Sequence, residues 1–278
     1  MDIQWYPGHM AKTKKSLKEN LFLIDIVIEI LDARIPISSK NPDIKNLTQN
    51  KLKILVLNKS DLADDNITNQ FKKYFSDYDY CVALDCLTGK NFNILNKIIS
   101  DLAQSKIEKL KKRGRIFSPL RLMVVGIPNV GKSTFINKFM NKKIAKVANR
   151  PGVTLNKQWI KIRKDIELLD TPGILCPKLD NPEMFFNLAF TGAIKDNNID
   201  KYQIALKLIE KLNSVDKSIL SGRFKYKITN SDPYKEIILI SKNRGLLKKS
   251  GEPDLERASI ILLDEFRSGK LGKISLEC

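Results

Sequence analysis

An eight-residue stretch between an apolar run and an amphipathic segment constrains this chain more than any other feature. Residues 126–133 read Gly-Ile-Pro-Asn-Val-Gly-Lys-Ser, which fits the pattern G-x-x-x-x-G-K-[ST]. The apolar run RLMVV precedes it, and the helical segment STFINKFMN follows it. Glycines in this pattern let backbone amides turn inward around phosphate groups. The stretch therefore predicts a strand, a phosphate-binding loop and a helix in succession.

The surrounding 160 or so residues alternate strand and helix patterns. Nearly continuous apolar runs, typical of parallel strands buried on both faces, occupy residues 25–33, 53–59, 80–85 and 121–126. Two weaker strands at 158–163 and 165–170 suit an antiparallel pair. Helical patterns lie between the strands, at about 66–76, 91–112 and 132–141. This alternation predicts a doubly wound α/β domain.

The pattern changes after residue 177. Helical periodicity dominates residues 182–267, and Asp254 and Gly269 suit the two ends of the last helix. Residues 236–241, EIILIS, fit a strand or a helix. We therefore expect an α/β domain over residues 1–178 and a small α-helical domain over residues 179–278.

The charge of the chain favours a polyanionic partner. Lys and Arg number 49 against 31 Asp and Glu, a formal net charge of +18, while the 42% hydrophobic content excludes global disorder. Residues 105–164 hold 17 basic residues and one acid, Glu108. A phosphate-contacting surface is the favoured interpretation, and a solubility face is the alternative.

Cysteine usage and hydropathy indicate the compartment. The four Cys are scattered and form no metal-type pair, as expected of reduced thiols. The longest apolar stretch, residues 21–31, is too short for a bilayer and contains two acids, and the N-terminal residues lack a leader pattern. We expect a cytoplasmic monomer with no membrane partner.

Oxygen-bearing residues after the phosphate loop suit a nucleoside triphosphate with Mg²⁺. Lys132 is predicted to bind the β- and γ-phosphates and Ser133 to bind Mg²⁺. Thr154, in the loop sequence PGVT, is a second predicted Mg²⁺ ligand and a catalytic residue beside Lys132. Asp170 of DTPG would hold Mg²⁺ through water, and Gly173 would give an amide to the γ-phosphate. The predicted nucleotide contacts of the phosphate loop are Asn129, Val130, Gly131, Lys132, Ser133 and Thr134.

A second loop predicts recognition of guanine. The sequence Asn58-Lys59-Ser60-Asp61 ends an apolar run. The Asp61 carboxylate can accept hydrogen bonds from N1–H and the 2-amino group, a pattern that adenine does not offer. Asn58 is predicted to contact the other edge of the base, and the Lys59 stem to cover the ring. GTP or GDP is therefore the predicted ligand.

The order of these motifs is permuted. In ordinary GTPases N-K-x-D follows the phosphate loop and D-x-x-G, whereas here it precedes both. A permuted strand order is possible if a helix near 91–112 joins the former termini. The predicted fold is therefore a P-loop GTPase fold with circularly permuted strand order, followed by the helical domain.

These motifs give the chain a family resemblance. With PGHM near the start, DARIP at 32–36, NKSD, GIPNVGKST, PGVT and DTPG in this order, it resembles the circularly permuted GTPases, most of all the ribosome biogenesis GTPase A family. The resemblance extends over essentially the whole chain. It implies GTP hydrolysis coupled to late assembly of the large ribosomal subunit, and binding to ribosomal RNA. The helical domain over residues 179–278 is the expected RNA- or ribosome-binding domain.

The resemblance also implies site residues, with two departures. The base-side loop usually reads S-x-x-G-x-G, and here it runs Cys86-Leu-Thr-Gly89-Lys-Asn91, so Cys86 and Gly89 are the implied contacts. Ile174 stands where ordinary GTPases place a water-orienting Gln. The family points to His9, the only His, as the catalytic group, the alternative being a packing role. Asn129 matches an Asn that holds K⁺ in related GTPases.

Two other functional classes stay open at this stage. One is an RNA-binding scaffold that uses GTP only as a structural or conformational ligand, which Ile174 favours. The other is a signalling GTPase with a protein effector, which does not explain the basic segment 105–164.

Overall fold

The computed structural model describes residues 15, 18–48, 50–114, 117–140, 159–169, 181–194, 196, 199–227 and 232–278. By its contacts this chain divides into two compact units. The first comprises residues up to 61 together with 68–178, and the second comprises 62–67 together with 179–278. The division into domains at residues 178 and 179, and a binding role for the second, stay predictions.

The first unit is built on a six-stranded sheet. In chain order its elements are β1 (Ile26–Asp32), α1 (Pro42–Leu47), β2 (Leu52–Asn58), α2 (Asp65–Tyr74, which begins in the second unit), β3 (Tyr80–Ala83), α3 (Phe92–Lys112), β4 (Leu120–Val125), α4 (Lys132–Phe139), β5 (Trp159–Arg163) and β6 (Ile166–Leu169). The strand order is β3-β2-β1-β4-β6-β5, and only β5 runs antiparallel. The predicted α/β class and the β5–β6 hairpin are confirmed.

The sheet topology explains how the permuted order is accommodated. The base-reading half, β1 to β3, comes first in the chain, and α3 leads from β3 to β4 of the phosphate half. The two halves meet where β1 pairs in parallel with β4, so that Ile26 lies opposite Leu122 and Glu29 opposite Val125. Neighbouring strands in space are thus far apart in sequence, and the long helix provides the connection.

The core forms on the sheet faces because the central strands are apolar at almost every position. All seven residues of β1 are buried. One cluster joins β1, β4 and β6 to the segments before β1 and in α1, and it contains Leu21, Ile24, Val27, Ile44, Met123, Val125 and Leu169. Aromatic rings join α3 and α4, because Phe135 lies 5.6 Å from Phe92 and 5.7 Å from Phe139 between ring centroids. Burial of these side chains is the main stabilising contribution.

The second unit is helical. Its helices are α5 (Pro182–Phe190), α6 (Lys201–Val215), α7 (Ser218–Phe224), α8 (Pro233–Asn243) and α9 (Leu255–Arg267). The ambiguous segment 236–241 is helical, since Asp232 caps α8 by accepting from the amide of Tyr234 and Pro233 occupies its first turn. Asp254 caps α9 and Gly269, with φ +75°, follows its end, as predicted.

A segment between β2 and α2 belongs to this helical unit. The amide of Ile274 donates to the carbonyl of Leu62, and the amide of Asp64 donates to the Ser275 hydroxyl. Lys273 and Asp65 form an exposed ion pair of 2.7 Å. The segment directly after Asp61 is therefore held by the last residues of the chain.

Candidate nucleotide-binding site

The predicted site residues that the structure describes gather at one edge of the sheet. Strands β1, β2, β3 and β4 are parallel, so their carboxyl ends lie on the same side, which is where open α/β sheets bind ligands. The loops that follow there are residues 33–41, 59–64, 84–91 and 126–131. Three of these four contain residues predicted to contact the nucleotide.

The phosphate loop needs glycine at both ends for steric reasons. Gly126 has φ +152°, and a Cβ there would lie 2.6 Å from the carbonyl oxygen of Ile30. Gly131 has φ +98°, and its Cβ would lie 2.3 Å from Nδ2 of Asn58. Position 131 must therefore be glycine, because the side chain of Asn58, from the base-reading loop, occupies the space beside it.

The first turn of α4 presents the predicted phosphate ligands. Helix α4 begins at Lys132, and Ser133 and Thr134 are exposed in its first turn. The amide of Phe135 donates to the carbonyl of Gly131, which closes the turn. The Lys132 ammonium donates to the carbonyl of Ile127 at 2.7 Å, within the loop itself. A helix N-terminus of this kind attracts anions through its unpaired amides and its dipole.

Asn58 joins three loops. Its Nδ2 donates to the carbonyl of Val130 at 2.6 Å, and its Oδ1 accepts from the amide of Cys86 at 3.0 Å. Both polar atoms of this buried amide are therefore engaged by the phosphate loop and by the base-side loop. The Asn58 side chain thus connects these loops, and its predicted contact with the base stays a prediction.

Lys59 makes a parallel connection. Its ammonium donates to the carbonyl of Asn129 at 2.9 Å and to Oδ2 of Asp32 at 2.9 Å. Both Lys59 and Asn129 have left-handed backbone, with φ of +60° and +61°. Asp32, at the end of β1, was not predicted as a site residue. The signal that could have found it is an acid at the end of a strand beside the phosphate loop.

Asp61 offers an acceptor that the protein does not use. Its Oδ1 is buried and has no hydrogen-bond partner among the residues that the structure describes. Burial and the neighbouring Asp85 carboxylate raise the pKa of Asp61. An orphaned acceptor in this position suits a ligand that brings N–H donors, as guanine does.

The base-side loop has left-handed backbone at two positions, Gly89 and Asn91. Gly89 has φ +91°, and Asn91 has φ +65° where the family has glycine. Asparagine tolerates this left-handed region better than most residues, and Asn91 Nδ2 also donates to the carbonyl of Ala83. Asp85 accepts from the amides of Leu87 and Thr88, which tightens the turn.

Helix α4 also touches the base-side loop. The Lys138 ammonium donates to the carbonyl of Thr88 at 2.8 Å, and its stem lies where a Cβ on Gly89 would be. Cys86, the family's serine position, is buried, and burial raises the pKa of its thiol well above the usual range. Its amide, which donates to Asn58, is its contribution to the site.

Four predicted residues lie outside the described part of the chain: His9, Thr154, Asp170 and Gly173. Their roles stay predictions. In the described ranges no group of three His, Cys, Asp or Glu side chains could hold a metal ion. The predicted Mg²⁺ ligands would be hydroxyl and carboxylate oxygens, which is the donor type that Mg²⁺ prefers. The exposed Ser133 hydroxyl at the start of α4 fits that set.

A cavity of about 630 Å³ lies beside the first turns of α6 and α9, and its lining includes Ile199, Tyr202 and Leu255 but no predicted nucleotide contact. Within the described ranges, the helices are all too short or too polar to cross a membrane.

Comparisons with known proteins agree with this geometry. Residues 121–240 match the family model described as 50S ribosome-binding GTPase. The chain is 41% identical to "Ribosome biogenesis GTPase A" of Bacillus cereus over 278 residues, covering 100% of this chain and 94% of the relative. It is 30% identical to the protein of the same name from Thermotoga maritima, covering 99% and 94%.

Solved structures carry the same resemblance. The GDP-bound structure of TM YlqF superposes with a TM-score of 0.66 at 28% identity, over 94% of this chain and 98% of that one. The GNP-bound structure of YlqF from T. maritima gives 0.63 at 28% identity, over 96% and 97%. The predicted P-loop GTPase fold with permuted strand order is thereby confirmed.

Proposed function

The chain belongs to the ribosome biogenesis GTPase A family, and we propose that it is a cytoplasmic, monomeric assembly factor that binds the large ribosomal subunit late in its maturation. It is a GTPase, which hydrolyses GTP to GDP and phosphate, in ribosome biogenesis. The observation that carries the site assignment is the pair of bonds from Asn58 and Lys59 to Val130 and Asn129. They fix the base-reading loop to the phosphate loop, as one nucleotide spanning both loops requires.

Guanine recognition rests on Asp61 in this proposal. Its buried Oδ1 would accept from guanine N1–H or the 2-amino group, which relieves an otherwise unpaired acceptor. Adenine presents no such donor pair there. Asn58 would contact the other edge of the base, and the Lys59 stem would cover the ring.

Phosphate binding rests on the first turn of α4. Lys132 would exchange its bond to the Ile127 carbonyl for the β- and γ-phosphate oxygens. Ser133, Thr154 and Asp170 would hold Mg²⁺ directly or through water, and the ion would neutralise charge that develops on the phosphates. The amide of Gly173 would donate a hydrogen bond to the γ-phosphate.

In this proposal the N-terminal motif PGHM, which contains His9, orients the attacking water. Ile174 has no hydrogen-bonding group, so it cannot orient the attacking water. His9 would do so when the ribosome holds the N-terminal residues in place, which predicts slow intrinsic hydrolysis and strong stimulation by the subunit. Asn129 would hold K⁺ beside the phosphates.

Charge supports ribosomal RNA as the partner. Within the basic segment 105–164, the end of α3 exposes Lys109, Lys111, Lys112 and Arg113. Such a field attracts a polyanion, and each neutralised phosphate releases counterions. RNA affinity should therefore fall steeply with salt.

The helical unit carries a second basic surface, at the ends of α7 and α8 and in the loop that follows. Asn243 Nδ2 donates to the carbonyls of Phe224 and Lys225 and thereby joins the two helix ends. Arg223 and Arg244 both bind the buried carboxylate of Glu265. Exposed lysines surround this junction: Lys225, Lys227, Lys242, Lys248 and Lys249. We call these five lysines the helical basic surface.

Cosedimentation with ribosomal subunits tests the proposal. The protein is mixed with purified large or small subunits, in a non-hydrolysable GTP analogue or in GDP, across a salt series. We expect large-subunit binding that is tighter with the analogue by about 1–3 kcal/mol, the usual range of coupling between two sites. Equal binding to both subunits, or no binding at any salt, would contradict the assignment.

A second candidate is an RNA-binding scaffold that uses GTP as a conformational ligand, favoured by Ile174. A signalling role is weaker, because it leaves the basic segment unexplained. Multiple-turnover hydrolysis with and without large subunits separates the first two. Stimulation supports the assembly GTPase, and binding without stimulation supports the scaffold.

A further inference from the structure

The carboxylate of Asp32 is enclosed at the end of β1. The residue is 2% exposed, and its neighbour across the pair, Arg34, is 1% exposed. Asp32 Oδ1 accepts from the backbone amide and Nε of Arg34, at 3.1 and 3.0 Å. Oδ2 accepts from Arg34 Nη2 at 2.8 Å. The guanidinium thus holds the carboxylate in a two-point grip that fixes its plane.

Asp32 Oδ2 accepts a second hydrogen bond, and this one comes from the base-reading loop. It accepts from the Lys59 ammonium at 2.9 Å, and the same ammonium donates to the carbonyl of Asn129. Lys59 is in the left-handed backbone region, where a residue with a side chain is held only at a cost of about 1–3 kcal/mol. The two bonds of its ammonium provide the restraint that keeps it there.

The buried negative charge of Asp32 is balanced by Arg34 and Lys59 together. Burial by itself would raise the pKa of Asp32, but the Arg34 guanidinium and the Lys59 ammonium outweigh it and hold that pKa well below its usual range. Asp32 is therefore ionised whenever the protein is folded near neutral pH. A permanent negative charge is thus available to Lys59, and Arg34 offsets the cost of burying it.

We propose that Asp32 is a positioning residue for guanine-nucleotide binding, and that Arg34 is its support. Together they hold Lys59 against the Asn129 carbonyl and so keep the base-reading loop in register with the phosphate loop. The inference rests on the proposed nucleotide site at residues 58–61 and 126–133. It adds Asp32, the last residue of β1, and Arg34 from the loop that follows β1.

The first test is Asp32→Asn. Asparagine keeps the size of the side chain and one acceptor but removes the charge that holds Lys59. We expect the Kd for GDP, measured with a fluorescent GDP analogue, to rise about tenfold or more, mainly through faster release. The turnover rate at saturating GTP should change less than KM does, because Asp32 acts on the loops and not on the transferred phosphate.

Glu29→Gln is the matched control. Glu29 is also a buried carboxyl of β1, three residues earlier; it accepts from the hydroxyl of Tyr78, and within the described ranges its side chain has no hydrogen bond to residues 58–61 or 126–133. We expect Glu29→Gln to leave the Kd for GDP within about twofold of wild type. An equal loss of affinity in both variants would mean that Asp32 matters only for general stability, and would overturn the proposal.

A double-mutant cycle with Lys59→Met tests the route of the effect. If Asp32 acts through Lys59, Asp32→Asn should weaken GDP binding in the wild-type background and change it less than about twofold in the Lys59→Met background. Full additivity of the two changes would overturn the proposal. If Asp32→Asn does not fold, Arg34→Lys replaces it in the cycle, since lysine cannot reproduce the two-point grip.

Failure of this inference is distinguishable from failure of the proposed site. If the wild-type protein binds no guanine nucleotide, the proposed nucleotide site itself is wrong. If the wild type binds GDP and the folded Asp32→Asn variant binds GDP equally tightly, the proposed site stands and only the role of Asp32 is wrong.

Discussion

The side-chain amide of Asn58 donates a hydrogen bond to the backbone carbonyl of Val130, 2.6 Å away, although the two residues are 72 apart in the chain. One belongs to the loop that is predicted to read the base and the other to the loop that is predicted to hold phosphates. The bond is possible because β1 lies between β2 and β4 and all three are parallel. It explains why Gly131 has no room for a side chain.

Gly131→Ala should therefore damage both stability and nucleotide binding. Its Cβ would collide with the Asn58 amide, and alanine is strained at φ +98°. We expect a loss of about 2 kcal/mol or more in the free energy of unfolding by urea, with weakened GDP binding. The matched control is Gly114→Ala, where φ is +61° and nothing lies within 4 Å. It should cost only about 1 kcal/mol and leave GDP binding unchanged, and equal losses at both positions would contradict the steric argument.

Asp61→Asn should change base preference without unfolding the protein. The Oδ1 atom has no partner to lose among the described residues, and the new NH2 group would face the 2-amino group of guanine, donor against donor, whereas it could donate to the 2-carbonyl oxygen of xanthine. We expect affinity to move from GTP toward XTP. The measurement is competition for a fluorescent GDP analogue by GTP, XTP and ATP. Wild-type binding of ATP as tight as GTP would show that residues 58–61 do not read guanine.

Glu29 should make stability depend on pH. Burial outweighs the favourable Tyr78, Lys40 and Asn41 contacts, and raises its pKa, with Asp77 adding to the rise. An acid with a raised folded-state pKa has no penalty below its unfolded pKa of about 4.3, and it loses stability as pH rises above that value. The free energy of unfolding by urea is measured for wild type and Glu29→Gln from pH 4 to 7.5. The stability of the variant relative to wild type should increase as pH rises. Parallel curves would exclude this linkage.

His9→Ala should lower hydrolysis only when the ribosome is present. The reason is that Ile174 cannot orient water, so another group must act in the stimulated reaction. We expect intrinsic rates within about twofold of wild type and a loss of about 100-fold in the rate stimulated by large subunits. Lys132→Ala serves as the reference for loss of both rates. Equal stimulated rates for His9→Ala and wild type would remove His9 from the mechanism.

The helical basic surface should contribute to RNA affinity through the local charge of its own lysines. Replacing Lys248 and Lys249 with glutamine should weaken large-subunit binding and lower the slope of log affinity against log salt by about one to two. The control replaces Lys207 and Lys211, which pair with Glu210 and Glu183 on the same unit and carry the same total charge. If both double variants bind equally, the effect is one of net charge and not of this surface.

Local patterns in the sequence were sufficient for the six strands, for the three longer helices of the first unit and for their order, but they did not predict α1 (Pro42–Leu47). Continuous apolar runs predicted the buried parallel strands, and glycine spacing with its flanking strand and helix predicted the phosphate loop. The position of NKSD before that loop predicted the permuted connection, which the sheet order confirms. Periodicity, capping and turn chemistry act over a few residues, so they are readable without the rest of the molecule.

Segment 236–241 was ambiguous for the same reason. Its apolar spacing suits a strand or a helix, and capping by Asp232 and packing inside the helical unit decided for the helix. Asn91 is a second case. The sequence shows a departure from glycine, and only the structure shows that Asn91 lies in the left-handed region that glycine favours, with φ of +65°.

The tertiary structure alone decided how the loops support one another. No spacing in the chain indicates that Asn58 reaches Val130, that Lys59 lies between Asp32 and Asn129, or that Asp61 keeps an unused acceptor. These relationships depend on strand register and on distances of 2.6–3.0 Å between residues that are up to 72 positions apart. Local sequence determines which residues end each strand, whereas side-by-side packing of the strands determines which of those ends touch.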